Sequence, residues 1–524
     1  MTMPGVYVMV ALVTATLRLV PGLCWPYRGM DAGAHLLLRR HIRRKGMRLT
    51  IEGWPLVLDR RFTYPWVFHW LLALLPESWL RRVPPLPSAI CDVLHATIGV
   101  WLAGHLAPLI MPATPPGQVA LLAGLLFATS PALLVAGFGP RAYEVTPRPF
   151  GELLYTATMA GALVYLAEGS VLGACIALIS GGLLLLSSKF AAQVLLFCTP
   201  VVALLARDAR LLLLLPGAVL VAMVVSGGGY WWILQTQWVH LRHYRRTLQY
   251  QHPTLARRNR GRELVRAVGS ALASPKDRAR WTRAVQLAEA HTFLQFLLRN
   301  VLWCVVVLLY AMELVPAGTG AGAAWILLLW AWTLAPLLPF LLSSMRDFRF
   351  LGEAERYPEY AVTPASILGA MSLLALPAGQ RSLALVGYVA TLIVAETYTV
   401  ARLRWNARRQ RSRSLDELAT FLSQFPAGTV VVPLPWLLAY QVAPDVSCAF
   451  VAGIDAKVWC EDPDGIFAFY PWLRPDVSQW ARKYSASAVV VDRAALQSGA
   501  APDYDFTALQ LAFENDGFQV YRWP

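Results

Sequence analysis

Charge is scarce in this 524-residue chain: 15% of its residues are Asp, Glu, Lys or Arg, and arginine greatly outnumbers lysine. With 57% hydrophobic residues and a mean hydropathy of +0.48, it holds more apolar side chains than a soluble core of this length requires. Cysteine spacing of the metal-binding kind is missing too. The seven cysteines include no Cys-x-x-Cys, so a zinc site is not expected. Cys175, Cys198 and Cys304 sit inside apolar runs, where a thiol behaves as a small hydrophobe. Cys24 with Cys91, and Cys448 with Cys460, are pairs that an oxidising compartment would allow, and the sequence leaves both open. The C-terminal part of the chain carries no Gly-rich phosphate fingerprint, so no cofactor is assigned to it. The basic excess, 46 Lys and Arg against 31 Asp and Glu, is spread over connections and not gathered in a compact soluble domain. That distribution argues against nucleic acid as a partner.

What the chain does have is apolar runs near twenty residues, the length that crosses a hydrocarbon core of ~30 Å. Eleven candidate spans are predicted, roughly 4 to 23, 89 to 111, 118 to 138, 149 to 167, 170 to 187, 191 to 206, 211 to 232, 296 to 315, 322 to 343, 361 to 377 and 383 to 401. The first lacks a small-residue cleavage site and reads as an uncleaved anchor. The fold class is therefore an α-helical polytopic membrane protein.

The connections fall into two sets. One face receives short ones, such as Arg207–Arg210. The other receives residues 24–88, 139–148, 188–190, 233–295, 344–360 and the tail from about 402. Such one-sided elaboration suits an enzyme working at one membrane surface, because loops carry function and spans supply a rigid frame. A transporter needs polar groups deep in its spans. Here these are few: Arg18, Asp92, Glu152, Glu313 and Glu396. Residues 33–45, 62–82 and 230–296 mix apolar, aromatic and basic side chains, a composition suited to helices lying in the interface.

Residues 1–401 are thus read as the membrane domain, 402–413 as a basic linker and 414–524 as a small soluble α/β domain. Ser414-Leu415-Asp416-Glu417 is a capping-box pattern opening a helix to about Phe425. β-branched runs at Thr429–Val432, Cys448–Val451, Ala488–Val491 and Phe518–Tyr521 predict a partly parallel sheet.

The first long loop carries Gly29-Met30-Asp31-Ala32-Gly33-Ala34-His35, an acid four residues from a histidine where the chain leaves the membrane. Arg18, Asp31 and His35, followed by Tyr64-Pro65-Trp66-Val67-Phe68-His69, resemble the N-terminal part of the C-type (GT-C) membrane glycosyltransferases. Tyr143, Thr146-Pro147-Arg148, Ser187-Ser188-Lys189-Phe190 and Gly352-Glu353-Ala354-Glu355-Arg356-Tyr357 resemble that family's later polar landmarks. The resemblance rests on their order, spacing and sidedness over the whole chain.

It implies a polyprenyl-phosphate-linked sugar donor, an acceptor it does not identify, and a site at the exoplasmic face of the plasma (inner) membrane. Asp31 matches the acid that activates the acceptor, where a carboxylate takes the proton of an attacking hydroxyl. Glu144 is a second candidate acid. The departing phosphate gains charge, which arginine forks stabilise; Arg141, Arg148, Lys189 and Arg356 are the candidates, with Tyr357 as a further donor and His35 as an orienting or phosphate-touching residue. The family's metal-dependent branches carry a denser set of acids than this first loop, which has no Asp-x-Asp, so no cofactor is assigned and a divalent metal is not favoured. The arginine-rich face would be cytoplasmic by the positive-inside pattern, against the exoplasmic side that the resemblance implies. A flippase or transporter for a lipid-linked anion and a noncatalytic assembly subunit are the alternatives.

Overall fold

The computed structural model describes residues 2–25, 30–59, 61–134, 141, 143–251, 258–312, 320–410, 413–453, 471–473, 476–497 and 501–523. The side chain of Asp31, and all of Cys460 and Glu313, lie outside them. The chain divides into a membrane unit, Met1–Pro26, Ser78–Gly228 and Arg257–Arg404, and a sheet unit, Tyr27–Glu77, Gly229–Ala256 and Trp405–Pro524.

In the membrane unit, seven helices are long and apolar enough to cross a bilayer: Met3–Cys24, Leu86–Ile110, Pro116–Leu134, Arg148–Glu168, Lys189–Ala206, Gly322–Ser344 and Ala378–Trp405. Each coincides with an expected span. The other four expected spans differ. Val171–Leu185 and Ala209–Val225 are apolar but shorter, and Val362–Ala375 has fourteen residues. The span expected at 296–315 is two helices, Thr292–Arg299 and Val301–Ala311, bent by 80° at Asn300. Hydropathy averages over a window and cannot register such a break.

Local chemistry sets several of these ends. Arg148–Glu168 starts after Pro147 and stops at Gly169, whose φ of 67° suits a left-handed C-terminal cap. Ser188 caps Lys189–Ala206 by accepting from the Ala191 amide at 3.3 Å. A Cβ on Gly161 would lie 2.7 Å from the Gly173 carbonyl oxygen, so glycine at that position lets Arg148–Glu168 and Val171–Leu185 pack backbone to backbone. The helix Val362–Ala375 is buried on all sides from Val362 to Leu373, as a helix apolar all round must be. Cys24 and Cys91 carry free thiols, as does Cys448 of the sheet unit.

The sheet unit is built on five strands, β1 (Val430–Leu434), β2 (Ala449–Phe450), β3 (Ala486–Asp492), β4 (Gln510–Glu514) and β5 (Phe518–Arg522). Their order is β2-β1-β3-β5-β4. β1 runs parallel to β2 and β3, whereas β5 is antiparallel to β3 and β4. The small α/β fold with a partly parallel sheet is as the sequence predicts; β4 is an addition. Val431, Val432 and Val489–Val491 are buried, in keeping with strands covered on both faces.

The first loop folds onto this sheet. Leu56 bridges Phe450 in parallel, with Val57 N donating to Phe450 O at 2.9 Å and Phe450 N to Pro55 O at 2.7 Å. The helix Met30–Arg44 contributes Ala34, Leu37, Leu38 and Ile42 to the same core, at helical spacing. The capping box at Ser414 does not form: the helix begins at Arg413, and Glu417 pairs with Arg413 at 2.9 Å and with the Asn515 amide at 3.2 Å.

Candidate functional site

Two groups of buried charges organise the membrane unit. The first joins four segments. Arg18, on the first span, donates Nε to Asp92 Oδ2 at 2.6 Å and Nη1 to the Ala128 carbonyl at 2.9 Å. Arg141 takes the same carboxylate in a fork, Nη1 to Oδ2 and Nη2 to Oδ1, both at 2.8 Å. Its Nε reaches Glu152 Oε1 at 2.9 Å and Oε2 at 2.8 Å. Arg18, Asp92 and Glu152 are fully buried. Two guanidinium ions thus balance two carboxylates with short, charge-assisted bonds, the condition under which ions tolerate a dry interior.

The second group surrounds the 3₁₀ segment Ala354–Ala361. Three acids of this region, Glu353, Glu355 and Glu359, each hold arginine. Glu359 accepts from Arg148 Nε at 2.9 Å and from Arg299 Nη2 at 3.1 Å. Glu355 accepts from Arg258 at 2.9 Å, and Glu353 pairs with Arg356. Burial raises the Glu355 carboxyl above its ordinary value, opposed by Arg258. Tyr357 is buried, donates its hydroxyl to the Leu351 carbonyl at 3.0 Å and packs its ring 4.8 Å from Phe190. The Arg356 guanidinium also lies over the Phe190 ring, 5.7 Å from its centroid. Lys189, next to Phe190, is the first residue of its helix. Arg148 also approaches Glu152 to 3.9 Å, so the two groups touch.

Six of the candidates, Arg141, Glu144, Arg148, Lys189, Arg356 and Tyr357, therefore belong to the membrane unit, and five sit in or beside these two groups. Glu144 is buried on the loop after Arg141, and its carbonyl accepts from Ser88 at 2.8 Å. Arg258, Arg299, Glu359 and His95 were not singled out from the sequence. The available signal was the alternation of acids in Glu353-Ala354-Glu355 and Glu359, which requires cations from elsewhere in the chain.

His35 belongs to the sheet unit. Its Nδ1 lies 2.9 Å from His69 Nε2, so one ring donates and the other accepts. Tyr64 stands edge-on to His69 at 5.5 Å, and Phe68 at 5.4 Å. Burial pushes His35 down to about 3 and holds His69 well below its ordinary value, the second with help from His35. Arg39, also buried, donates to the carbonyls of Leu72 and Leu75 and to Glu77 at 3.2, 2.5 and 3.3 Å, fastening the helix that starts at Met30 to Val67–Leu74.

Asp92, His95 and Glu152 are the group of His, Cys, Asp and Glu side chains among the described residues whose ligand atoms lie close enough to hold a metal ion. The donor set does not fit one. Both carboxylates are gripped by arginines, and His95 Nε2 lies between Thr156 Oγ1 at 2.6 Å and Thr363 Oγ1 at 2.7 Å. A dication would have to displace two guanidinium groups whose charges already match the acids.

No protein-family model matches the chain, and no curated protein matches it by sequence. Solved structures do match it. ArnT from Cupriavidus metallidurans, in its complex with undecaprenyl phosphate, is similar with a TM-score of 0.57 over 98% of this chain and 97% of that one, at 14% identity. The Archaeoglobus fulgidus oligosaccharyltransferase tethered to an acceptor peptide gives 0.54 over 94% of this chain and 69% of that one, also at 14% identity. The archaeal oligosaccharyltransferase AglB from the same organism, with an inhibitory peptide and a dolichol-phosphate, gives 0.52 at the same coverage and identity. The chain shares the fold of these solved structures. Within this fold the spans carry the charge network, and the candidate cations lie at or near helix starts or in the connection before Val362–Ala375.

Proposed function

We propose that this chain is a membrane glycosyltransferase that moves a sugar from a polyprenyl-phosphate donor to an acceptor at the exoplasmic face. One observation carries the reading beyond the fold. Arg148 and Arg299 share the single carboxylate of Glu359, and Arg299 Nε and Nη1 are buried without a hydrogen-bond partner. Buried guanidinium donors left unmade are costly, and an anion offered to them relieves that cost. The phosphate of a lipid-linked sugar supplies such an anion.

In the reaction the acceptor oxygen attacks the anomeric carbon, the bond from that carbon to the phosphate oxygen breaks, and the polyprenyl phosphate departs with the electron pair. Asp31 takes the hydroxyl proton, with Glu144 as the second acid. Arg148, Lys189 and Arg356 neutralise the charge that grows on the phosphate, with Arg299 joining them. Arg141, engaged at all three nitrogens, and Tyr357, engaged by Leu351, hold the surrounding loops in place. His35 steadies the helix start that bears Asp31 through its contact with His69.

The transporter alternative draws less support. It would use deep acids such as Glu152 or Glu396, and Glu152 is tied to Arg141. The test is release of free polyprenyl phosphate by the purified protein in nanodiscs, offered a panel of polyprenyl-phosphate sugars and a membrane extract as acceptor source. Release is expected from one donor and is lost in Asp31→Asn. Donors that bind but remain intact in every acceptor mixture would remove the enzyme reading.

A further inference from the structure

The long connection after the apolar segment Ala209–Val225 contains a helical hairpin that the glycosyltransferase reading does not use. Its arms are Gly261–Ala273 and Arg278–Glu289. Ala267, Ala271 and Ala284 are buried between them, with Leu287 partly so, and such small side chains let the arms approach closely. Asp277 fixes the turn, its carboxylate accepting from the amides of Ala279 and Arg280 at 2.9 and 3.3 Å.

The hairpin has two unlike faces. At three- and four-residue spacing, Val265, Val268 and Leu272 line one side of the first arm, and Trp281 and Val285 line one side of the second. All five are exposed, Val265 by 72% and Leu272 by 61%. Because the arms run antiparallel, these stripes fall on the same face. The other face holds a groove of about 460 Å³ lined by Glu263, Arg266, Ala267, Ser270, Arg280 and Arg283.

The three arginines of the groove are not equivalent. Arg280 is fixed: Nη1 donates to Ser270 Oγ at 3.2 Å and Ser274 Oγ at 3.0 Å, and Nε pairs with Asp277 at 3.0 Å. Arg266 and Arg283 have no polar partner among the described residues, and both are exposed. The acid at the rim, Glu263, is paired to Arg260 at 3.0 Å. Two unengaged guanidinium forks beside a third held rigid, in a groove much larger than a carboxylate, match a tetrahedral oxyanion with substituents.

We propose that this groove is a binding site for phosphate groups, with Arg266 and Arg283 as its ligands and Arg280 and Ser270 as its fixed wall. The apolar face enters the acyl boundary of the membrane and the groove opens to the aqueous side, where a phosphate can arrive on a lipid headgroup or free in solution. The site shares no residue with the charge groups around Glu152 and Glu359 and does not depend on the activity proposed for them.

The experiment uses the full-length protein in nanodiscs and has two arms. In the first, native mass spectrometry compares retention of phosphatidylglycerol with that of phosphatidylcholine by the wild type and by the double variant Arg266→Gln, Arg283→Gln. In the second, inorganic pyrophosphate is added to neutral phosphatidylcholine nanodiscs, and amide hydrogen exchange is followed across residues 261–289. Loss of two charge-assisted contacts is expected to weaken binding on the order of tenfold or more in the double variant. Arg266→Lys with Arg283→Lys, which keeps the charge, controls for folding and retains part of the affinity. A preference for phosphatidylglycerol that the glutamine variant loses assigns the site to headgroups; pyrophosphate protection that it loses assigns the site to soluble phosphate. If neither anion distinguishes the wild type from the variant, the proposal is overturned.

Discussion

Arg141 and Asp92 form a two-pronged ion pair, each prong 2.8 Å long, and the same guanidinium reaches Glu152 through its third nitrogen. With Arg18 on the far side of Asp92, the arrangement closes a neutral knot between the first, second and fourth apolar helices and the loop before the last of these. Removing one member leaves an unmatched charge with no water to solvate it.

Arg141→Gln is therefore expected to lower stability by about 3–5 kcal/mol, since it leaves two acids facing one cation. Arg141→Lys recovers only part of the loss, because a point charge cannot take Asp92 in a fork and reach Glu152 as well. Thermal unfolding in detergent reads both variants. Melting curves that overlay the wild type would show that the knot adds nothing to stability.

Around Glu359 the expectation is asymmetric. Arg148→Gln leaves Arg299 to neutralise the carboxylate, so the protein should fold at nearly wild-type stability and lose donor turnover. Glu359→Gln leaves two buried guanidinium groups facing each other and should cost about 3–5 kcal/mol. Reversal of that order, measured by unfolding midpoint and by release of polyprenyl phosphate, would contradict the assignment of Arg148 to the phosphate.

The histidine pair makes the sheet unit sensitive to acid. His35 stays neutral in the fold down to about pH 3, whereas the unfolded chain takes up the proton near 6.5. The contribution of the pair is complete above that value and is lost as pH falls from 6.5 toward 3, by up to about 1.4 kcal/mol per pH unit for each histidine. Protease protection of residues 405–453 should weaken between pH 7.5 and 5, and His35→Gln with His69→Gln should flatten that dependence. A wild-type profile that is flat over the range would leave the buried pair without an energetic role.

Gly33 offers a check on how the helix bearing Asp31 is placed. A Cβ at this position would overlap the carbonyl oxygen of Tyr440 in the helix Leu438–Val442. Gly33→Ala should cost about 1–3 kcal/mol through overpacking and should lower turnover by displacing Asp31. Crystallography or unfolding of this variant decides the matter; an unchanged unfolding midpoint would mean that the two helices separate easily.

The apolar spans were legible because hydropathy is a local property. Seven of the eleven predicted segments coincide with long apolar helices and the other four overlie shorter or broken ones, and the valine runs of β1 and β3 were visible for the same reason. The bend at Asn300 was hidden, since Thr292–Arg299 and Val301–Ala311 form one continuous apolar window. Strand β4, with little of its surface buried, has a weak pattern. Charge partners were the least legible. Arg18 and Asp92 stand 74 positions apart and Arg258 and Glu355 stand 97 apart, so each reads alone as an isolated ion in an apolar run or a basic residue in a loop. Arg299 falls inside the span expected at 296–315, and only the fold gives it Glu359.

The separation of Arg148 from Glu359 also imposes a schedule on synthesis. The two residues lie 211 positions apart, so at a ribosomal pace of 5–20 residues per second Arg148 leaves the ribosome roughly ten to forty seconds before its carboxylate partner exists. Arg258 and Arg299 emerge in the same interval and wait on the same short segment. Until residues 353–359 are made, the nascent protein holds Arg258 and Arg299 without the acids that pair with them and Arg148 with only the more distant Glu152, and the insertion machinery or anionic lipid must shelter them in the meantime. The ten residues from Gly352 to Ala361 thus act as a late latch, and a chain truncated before them should be recognised as unfinished by membrane quality control.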